Sequence, residues 1–334
     1  MKKSYYLFNP GKLSRKDNTL RFDPIAEDGT MGTPRYLPIE GVADLFVFGS
    51  LDANSALYNF LGKEGISVHF FDYYEHYTGS FQPKEYLLAG KVIVKQVEHY
   101  SQNYLRTRLA RKFIEGASFN MIKNLRYYVN RGRELDPIIS EMETLAAELQ
   151  NCSNPEEVMG YEGMIRQHYY KAFEEIITDF SMDGRSKQPP QNEINALISF
   201  CNMMCYTVCL GQLYHTQLNP TISYLHEPGF RRFSLALDLS EIFKPILVDR
   251  MIFRLFNKKE IQKDDFDHLD NAVLLKEKGK KAVVKVWEER LAETIKHRKL
   301  GRNVSYKHLV KLECYKLVKH IMDIETYEPF KAWW

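Results

Sequence analysis

The spacing of hydrophobic and polar residues divides the chain into two parts with different periods. Up to about residue 82, short runs rich in aromatic and β-branched residues alternate with turn residues, which is typical of strands. The predicted strands are 5–7, 19–22, 35–38, 45–48 and 68–71, with one helix near 54–61. This pattern predicts a small strand-rich domain that contains one inserted helix.

After residue 82 the hydrophobic period becomes helical and stays helical almost to the end of the chain. The predicted helices are 86–131, 138–150, 155–181, 191–216, 237–257, 272–299 and 304–322. The predicted fold class is therefore α+β. A β-rich domain covers 1–82, a linker containing Pro83 covers 83–88, and a larger all-α domain covers 89–334.

The composition is that of an ordinary soluble protein with about two domains. The chain has 334 residues, of which 44% are hydrophobic and 27% charged. Residues 194–226 carry no Asp, Glu, Lys or Arg, but Ser199, Asn202, Thr207 and Gln212 within them favour a buried helix over a membrane span. The N-terminus lacks the apolar segment of a signal peptide, so we predict a cytoplasmic protein without a membrane partner.

The five cysteines give an odd count without a secretory context, which predicts reduced thiols. Cys201, Cys205 and Cys209 recur every four residues and so lie on one face of a helix. Metal clusters use tighter, paired spacing, and we therefore interpret the three cysteines as a packed stripe.

A basic stretch stands out although the net charge of the chain is only +3. Between residues 106 and 133 there is one acid, Glu115, against eight basic residues: Arg106, Arg108, Arg111, Lys112, Lys123, Arg126, Arg131 and Arg133. Interleaved tyrosines and Phe119 would add aromatic surfaces next to phosphate contacts. A DNA-binding surface and a solvated helix face both remain open.

Three residues far apart in the chain have the chemistry of a divalent-cation site: Glu162, His226 and Glu241. Two carboxylates and one imidazole form a hard, mostly oxygen site, which suits Mg²⁺ or Mn²⁺ better than zinc. Asp238 lies one helical turn before Glu241 and could hold a second metal, a water ligand or an orienting hydrogen bond. Each of these side chains alone would have an ordinary structural explanation, as a cap, a loop histidine or a surface acid.

The residues around these positions resemble a known family. Residues 195–200, the loop around His226 and residues 234–250 resemble, in order and spacing, the CRISPR adaptation integrases of the Cas-one family. The N-terminal strands are similar to the family's small β domain, so the resemblance covers nearly the whole chain. The opening residues 5–20 are similar to the branch found with type I-B systems.

The resemblance implies a metal-dependent DNA endonuclease and integrase with Glu162, His226 and Glu241 as ligands of Mg²⁺ or Mn²⁺. Asp238 and Lys244 would complete the catalytic set, with the Lys244 ammonium meeting a phosphate oxygen. The implied DNA-binding residues combine the basic stretch with polar positions on the helix before His226: Arg106, Arg108, Arg111, Lys112, Arg126, Asn195, Ser199 and Tyr206. At Asn202 the chain departs from the many relatives that carry tyrosine.

The implied reaction joins the 3′-OH ends of short foreign double-stranded DNA to CRISPR repeat DNA by transesterification. The implied assembly is a homodimer formed through the β domain, with two such dimers bridged by a small Cas-two partner dimer. Two alternatives stay open: a related integrase of a mobile element, and a catalytically inactive DNA-binding scaffold. The intact trio argues against the scaffold, and the sequence lacks nucleotide-hydrolase, zincin and serine-hydrolase motifs.

Overall fold

The structure is a computed structural model that describes residues 2–26, 28–84, 87, 89–230 and 232–333. The chain divides into two compact units, Met1–Tyr86 and Leu87–Trp334. Positions 85, 86 and 88 of the predicted linker lie outside the described residues. The fold class is α+β as predicted, with a strand-rich first unit and a helix-rich second unit.

Two four-stranded sheets and one helix make up the described part of the N-terminal unit. The strands are β1 (Lys3–Leu7), β2 (Gly11–Lys16), β3 (Thr19–Pro24), β4 (Arg35–Pro38), β5 (Val42–Val47), β6 (Leu51–Asp52), β7 (Ser67–Phe71) and β8 (Tyr77–Phe81). Their orders are β1-β5-β7-β8 and β4-β3-β2-β6. Helix α1 (Ser55–Glu64) begins where the Asn54 side chain accepts a hydrogen bond from the Leu57 N–H, and it ends at Gly65, whose φ is 72°.

One apolar cluster joins both sheets to α1, with Leu13, Leu20, Leu45, Leu61 and Val68 nearly or fully buried in it. Strands β2, β6 and β8 were not predicted from the sequence. In β2 the residues are mostly polar, and the strand exists because it pairs along its whole length with β3 in an antiparallel hairpin. Such pairing is non-local information that a hydrophobic period does not contain.

The second unit is built mainly from helices. They are α2 (Gly90–Ser101), α3 (Asn103–Val129), α4 (Asp136–Glu148), α5 (Pro155–Ile176), α6 (Glu193–Tyr214), α7 (Ser234–Phe243), α8 (Arg250–Asn257), α9 (Glu277–Ala292) and α10 (Tyr306–Ile321). Two short hairpins accompany them: β9 (Phe266–Leu269) with β10 (Ala272–Leu275), and β11 (Thr294–Lys296) with β12 (Asn303–Ser305). The prediction of an all-α domain was therefore wrong at these hairpins. Strand β10 alternates half-buried and buried residues, but all four of its residues are hydrophobic, so the sequence has no alternation that would separate this strand from the helix predicted from 272.

Helix α6 is the candidate membrane span among the described residues, because it is long and apolar enough to cross a bilayer. In the structure 78% of its apolar window is buried inside the protein, as predicted for an interior helix. Cys201, Cys205 and Cys209 are buried along α6, Cys314 of α10 is buried as well, and none of these four cysteines forms a disulfide. This arrangement agrees with a packed stripe of reduced cysteines.

A π-helical segment, Lys244–Asp249, interrupts the single helix predicted over 237–257. Pro245 has no N–H to donate, so a regular α-helix cannot continue through it. Side chains from α3 and α9 bind the carbonyls of this region: Asn120 Nδ2 to Ile242 O at 3.0 Å, Asn124 Nδ2 to Pro245 O at 2.6 Å, and Arg290 to Ile246 O at 3.2 and 3.1 Å. The segment is thus held by specific partners directly after Glu241. Such π-helical insertions are frequent at functional sites.

Candidate metal and catalytic site

Two of the three predicted ligands meet at one arginine. Glu162 lies on α5, which begins with the Asn154 side chain as cap and Pro155 in its first turn, and Glu241 lies on α7. Arg166, one turn after Glu162, donates from Nε to Glu162 Oε1 over 2.5 Å and from Nη2 to Glu241 Oε2. Because one guanidinium contacts both carboxylates, the two glutamates lie next to each other.

The third predicted ligand, His226, lies in the loop between α6 and α7 and is fixed by Asp238. The fully buried carboxylate of Asp238 accepts hydrogen bonds from the backbone N–H groups of Tyr224, Leu225 and His226 at 2.7–3.0 Å. It also accepts one from His226 Nδ1 at 2.8 Å. An ionised carboxylate only accepts, so Nδ1 carries the proton and Nε2 is the ring nitrogen left to bind a ligand. Of the three roles predicted for Asp238, these contacts correspond to the orienting hydrogen bond.

Glu241 is enclosed between two cations. Lys244, the first residue of the π-helical segment, places Nζ 2.5 Å from Glu241 Oε1, while Arg166 contacts Oε2. The Glu241 side chain is only 6% exposed. The family resemblance predicts that the Lys244 ammonium contacts a phosphate oxygen of the DNA. For this contact, the ammonium must either bind the phosphate and Glu241 together or turn away from Glu241.

These charges set the ionisation of the cluster. Burial disfavours a charged Glu241, but the Lys244 ammonium and the Arg166 guanidinium outweigh it and hold the pKa of Glu241 well below its usual range. Burial also works against the charge of Arg166, yet Glu241 and Glu162 raise the pKa of its guanidinium. For His226, burial opposes the proton while Asp238 favours it, and the net pKa is raised. Glu241 is therefore ionised at neutral pH.

The donor set fits a hard divalent cation. Two carboxylates that already share one cationic partner, together with a histidine of fixed tautomer, are typical ligands of Mg²⁺ or Mn²⁺. Within the described ranges, no group of three His, Cys, Asp or Glu side chains is positioned to hold a metal ion in the present side-chain conformations. Both oxygens of Glu241 instead contact Arg166 and Lys244.

The predicted DNA-binding residues on α6 hold a neighbouring loop. Asn195 is fully buried, and its amide contacts Arg185, the Ser186 N–H and the Gly184 carbonyl at 2.9–3.2 Å. Ser199 Oγ accepts a hydrogen bond from Arg185 Nη2 at 3.1 Å. Direct contact of Asn195 with DNA, as predicted, is not available in this structure because protein encloses the side chain.

Tyr206, the third predicted residue on α6, is half-buried. Its hydroxyl accepts a hydrogen bond from the Phe233 N–H at 3.2 Å, directly before α7. Tyr206 therefore supports the start of the helix that carries Asp238 and Glu241.

Four residues of the basic stretch have hydrogen-bond or ion-pair partners in the folded chain. Arg106 contacts Glu227 and the Tyr224 carbonyl, Arg111 the Cys152 carbonyl, Lys112 the nearby Glu115 and the distant Glu328, and Arg126 Glu143. Arg108 is half-buried near His320. Carboxylates thus offset part of the positive charge seen in the sequence, at Arg106, Lys112 and Arg126. Contacts with DNA would compete with these pairs.

Sequence reasoning missed two arginines that organise the site, Arg166 and Arg185. The available signal for Arg166 was its position four residues after Glu162, which places both side chains on one face of a helix. Its contact with Glu241 follows from the packing of α5 near α7 and has no local sequence signal.

Comparison with known proteins identifies the fold. A CAS1 protein from Thermotoga maritima matches with a TM-score of 0.86 and 37% identity, over 99% of this chain and all of that one. A structure described as a casposase bound to integration product has a TM-score of 0.88, over 99% of this chain and 93% of the other, but at 19% identity it shows the fold alone. The fold is that of the CAS1 class of proteins.

The sequence comparisons agree with this class. The CRISPR-associated endonuclease Cas1 of Fusobacterium nucleatum subsp. nucleatum is 47% identical over 335 residues, covering all of this chain and 98% of that protein. Residues 5–289 match the family described as CRISPR associated protein Cas1. The chain therefore belongs to the Cas1 family.

Proposed function

We propose that this protein is a divalent-metal-dependent DNA endonuclease and integrase of CRISPR adaptation. It joins the 3′-OH ends of short foreign DNA to CRISPR repeat DNA. The observation that carries the proposal is the meeting of Glu162 and Glu241 at one guanidinium, together with the fixed ring of His226. Membership of the Cas1 family supports DNA as the substrate.

The reaction requires no nucleophile from the protein. The 3′-oxygen of the incoming strand bonds to a phosphorus of the repeat, and the 3′-oxygen of the cut strand leaves, so one phosphodiester replaces another. Mg²⁺ or Mn²⁺, held by Glu162, His226 and Glu241, would stabilise the negative charge that builds on the phosphate. Asp238 keeps the proton on Nδ1 of His226, and Lys244 supplies a positive charge beside Glu241.

The proposal includes the assembly that the family resemblance implies, a homodimer formed through residues 1–82 and bridged to a second by a small Cas2 dimer. Support comes from the N-terminal unit, where Tyr73 and Tyr74 are 79% and 59% exposed. Light scattering of the isolated protein at micromolar concentration should give twice the mass of the chain, and the mass of one chain would contradict the dimer.

An integration assay tests the function directly. Supercoiled plasmid bearing the repeat is mixed with short duplex DNA ending in 3′-OH, Mn²⁺, the protein and the small partner. We expect strand transfer at the repeat, and none when Mn²⁺ is replaced by a chelator. Equal transfer into a plasmid without the repeat would favour a mobile-element integrase. DNA binding without transfer in Mn²⁺ would favour the inactive scaffold.

A further inference from the structure

Arg166 occupies the centre of the candidate metal site. Its guanidinium contacts Glu162 through Nε and Glu241 through Nη2, and its side chain is only 14% exposed. A surface arginine commonly pairs with one neighbour on its own helix, but Arg166 joins α5 to α7. It is therefore the direct link between two side chains that would have to bind the same ion.

Electrostatics explain why a cation is needed here. Two ionised carboxylates close together in a poorly solvated place repel each other, and without a partner one of them would take up a proton. Arg166 and Lys244 supply two positive charges to Glu162 and Glu241. A divalent ion carries the same charge as these two side chains together. Arg166 and Lys244 can therefore balance the two carboxylates when the metal is absent, and the metal can replace them at the same oxygens.

We propose that Arg166 is an internal counter-cation that holds the two carboxylates together in the metal-free protein and competes with the incoming metal for them. The inference rests on the proposed metal site and adds a determinant of its affinity. Binding of the metal by Glu241 requires Arg166 or Lys244 to give up a carboxylate oxygen, and of these two cations Arg166 contacts Glu162 as well. Arg166 thereby stabilises the empty site and weakens metal binding. It is a positioning residue, because it acts through Glu162 and Glu241.

The test is a Mn²⁺ titration of the full-length, metal-free protein, in which the electron paramagnetic resonance signal of free Mn²⁺ reports binding. Arg166→Gln should lower the Kd for Mn²⁺ by at least about tenfold, which corresponds to about 1.4 kcal/mol. Lys171→Gln, which removes one charge from an exposed position on the same helix, should bind Mn²⁺ like the wild type. Loss of wild-type binding in Glu162→Gln assigns the signal to this site.

Thermal unfolding supplies a second readout. Without metal, Arg166→Gln should unfold at a lower temperature than the wild type, and Mn²⁺ should raise its unfolding temperature by more. If Arg166→Gln does not fold, Arg166→Lys is used. Lysine keeps the positive charge but has a single nitrogen in place of the Nε and Nη2 that contact Glu162 and Glu241, so a smaller decrease in the Kd for Mn²⁺ is expected.

The outcomes separate this inference from the proposed function. Mn²⁺ binding by Arg166→Gln at or below wild-type affinity would overturn the inference and leave the metal site in place. Absence of Mn²⁺ binding in both the wild type and Arg166→Gln would overturn the metal site, and the inference with it.

Discussion

Asp238 connects the backbone of the His226 loop to the imidazole ring. Three backbone N–H groups and the Nδ1–H of His226 point at its two oxygens, and water does not reach the carboxylate. A carboxylate that accepts this many hydrogen bonds fixes both the shape of the loop and the tautomer of the histidine.

Replacing Asp238 by Asn should weaken metal binding without removing a ligand. The amide places N–H donors where the loop also presents donors, so the ring of His226 loses its orientation. We expect Mn²⁺ affinity and strand transfer to fall by about 10–100-fold. The Mn²⁺ titration measures the affinity, and the integration assay measures strand transfer. Unchanged Mn²⁺ affinity would contradict an orienting role for Asp238.

Asp249 predicts a pH dependence of stability. Burial raises the pKa of Asp249 to about 7 in the folded protein, from an ordinary value of 3.8. The folded state thus holds this proton more tightly than the unfolded state. The resulting stabilisation is complete below about pH 4 and is lost as the pH rises through about 7.

Asp249→Asn, neutral at every pH, isolates this contribution. The free energy of unfolding of the variant relative to the wild type should increase between pH 5 and pH 8 by about 1–3 kcal/mol. Urea unfolding at several pH values measures it. A difference between the two proteins that does not change with pH would show that Asp249 titrates normally.

The sequence indicates candidate ligands but not their counter-charges. Glu162, His226 and Glu241 stand in recognisable local contexts, so they can be proposed from the chain alone. The roles of Arg166 and Arg106 depend on partners far away in sequence, Glu241 and Glu227, which only folding brings near. The predicted DNA contacts of the basic stretch overlooked these carboxylates for the same reason.

Among the elements, the π-helical segment after α7 shows how α3 supports the site. Polar side chains in the middle of α3 are buried, and Asn120 and Asn124 each donate to a carbonyl of the region after Glu241. The hydrophobic period predicted one helix over 237–257. Pro245 was the local signal for an interruption, while the partners that make it a π-helix come from α3 and α9.

Asn124→Ala should destabilise the protein by about 1–3 kcal/mol, because the buried Pro245 carbonyl loses its donor. Urea unfolding gives the free energy of unfolding. Asn130→Ala, at the exposed end of the same helix, is the matched control and should change it by less than about 0.5 kcal/mol. Equal effects of the two substitutions would contradict a supporting role for Asn124.

Arg106 links α3 to the His226 loop through the Tyr224 carbonyl and Glu227. We expect Arg106→Gln to lower strand transfer while the salt dependence of duplex binding stays the same. A lost phosphate contact would instead reduce the slope of log affinity against log salt by about 0.9. Fluorescence anisotropy of labelled duplex at several salt concentrations decides between these results.

For the whole molecule, the fold class and the order of the two units follow from the change of hydrophobic period near residue 82. The short hairpins of the second unit do not, because β9 to β12 have three or four residues each and are too short for a periodic signal. The chain belongs to the Cas1 family. All residues of the proposed site lie in the helical unit, Leu87–Trp334.

In the proposed function, Glu162, His226 and Glu241 bind the ion that drives strand transfer. The most direct measurement is Mn²⁺-dependent integration by Glu162→Gln, His226→Asn and Glu241→Gln, with duplex binding measured in parallel. Glu175→Gln, an exposed acid on the same helix as Glu162, is the control. Each of the three variants should bind DNA but transfer no strand, while the control should act like the wild type. Wild-type integration by any one of the three would contradict the assignment of that residue as a ligand.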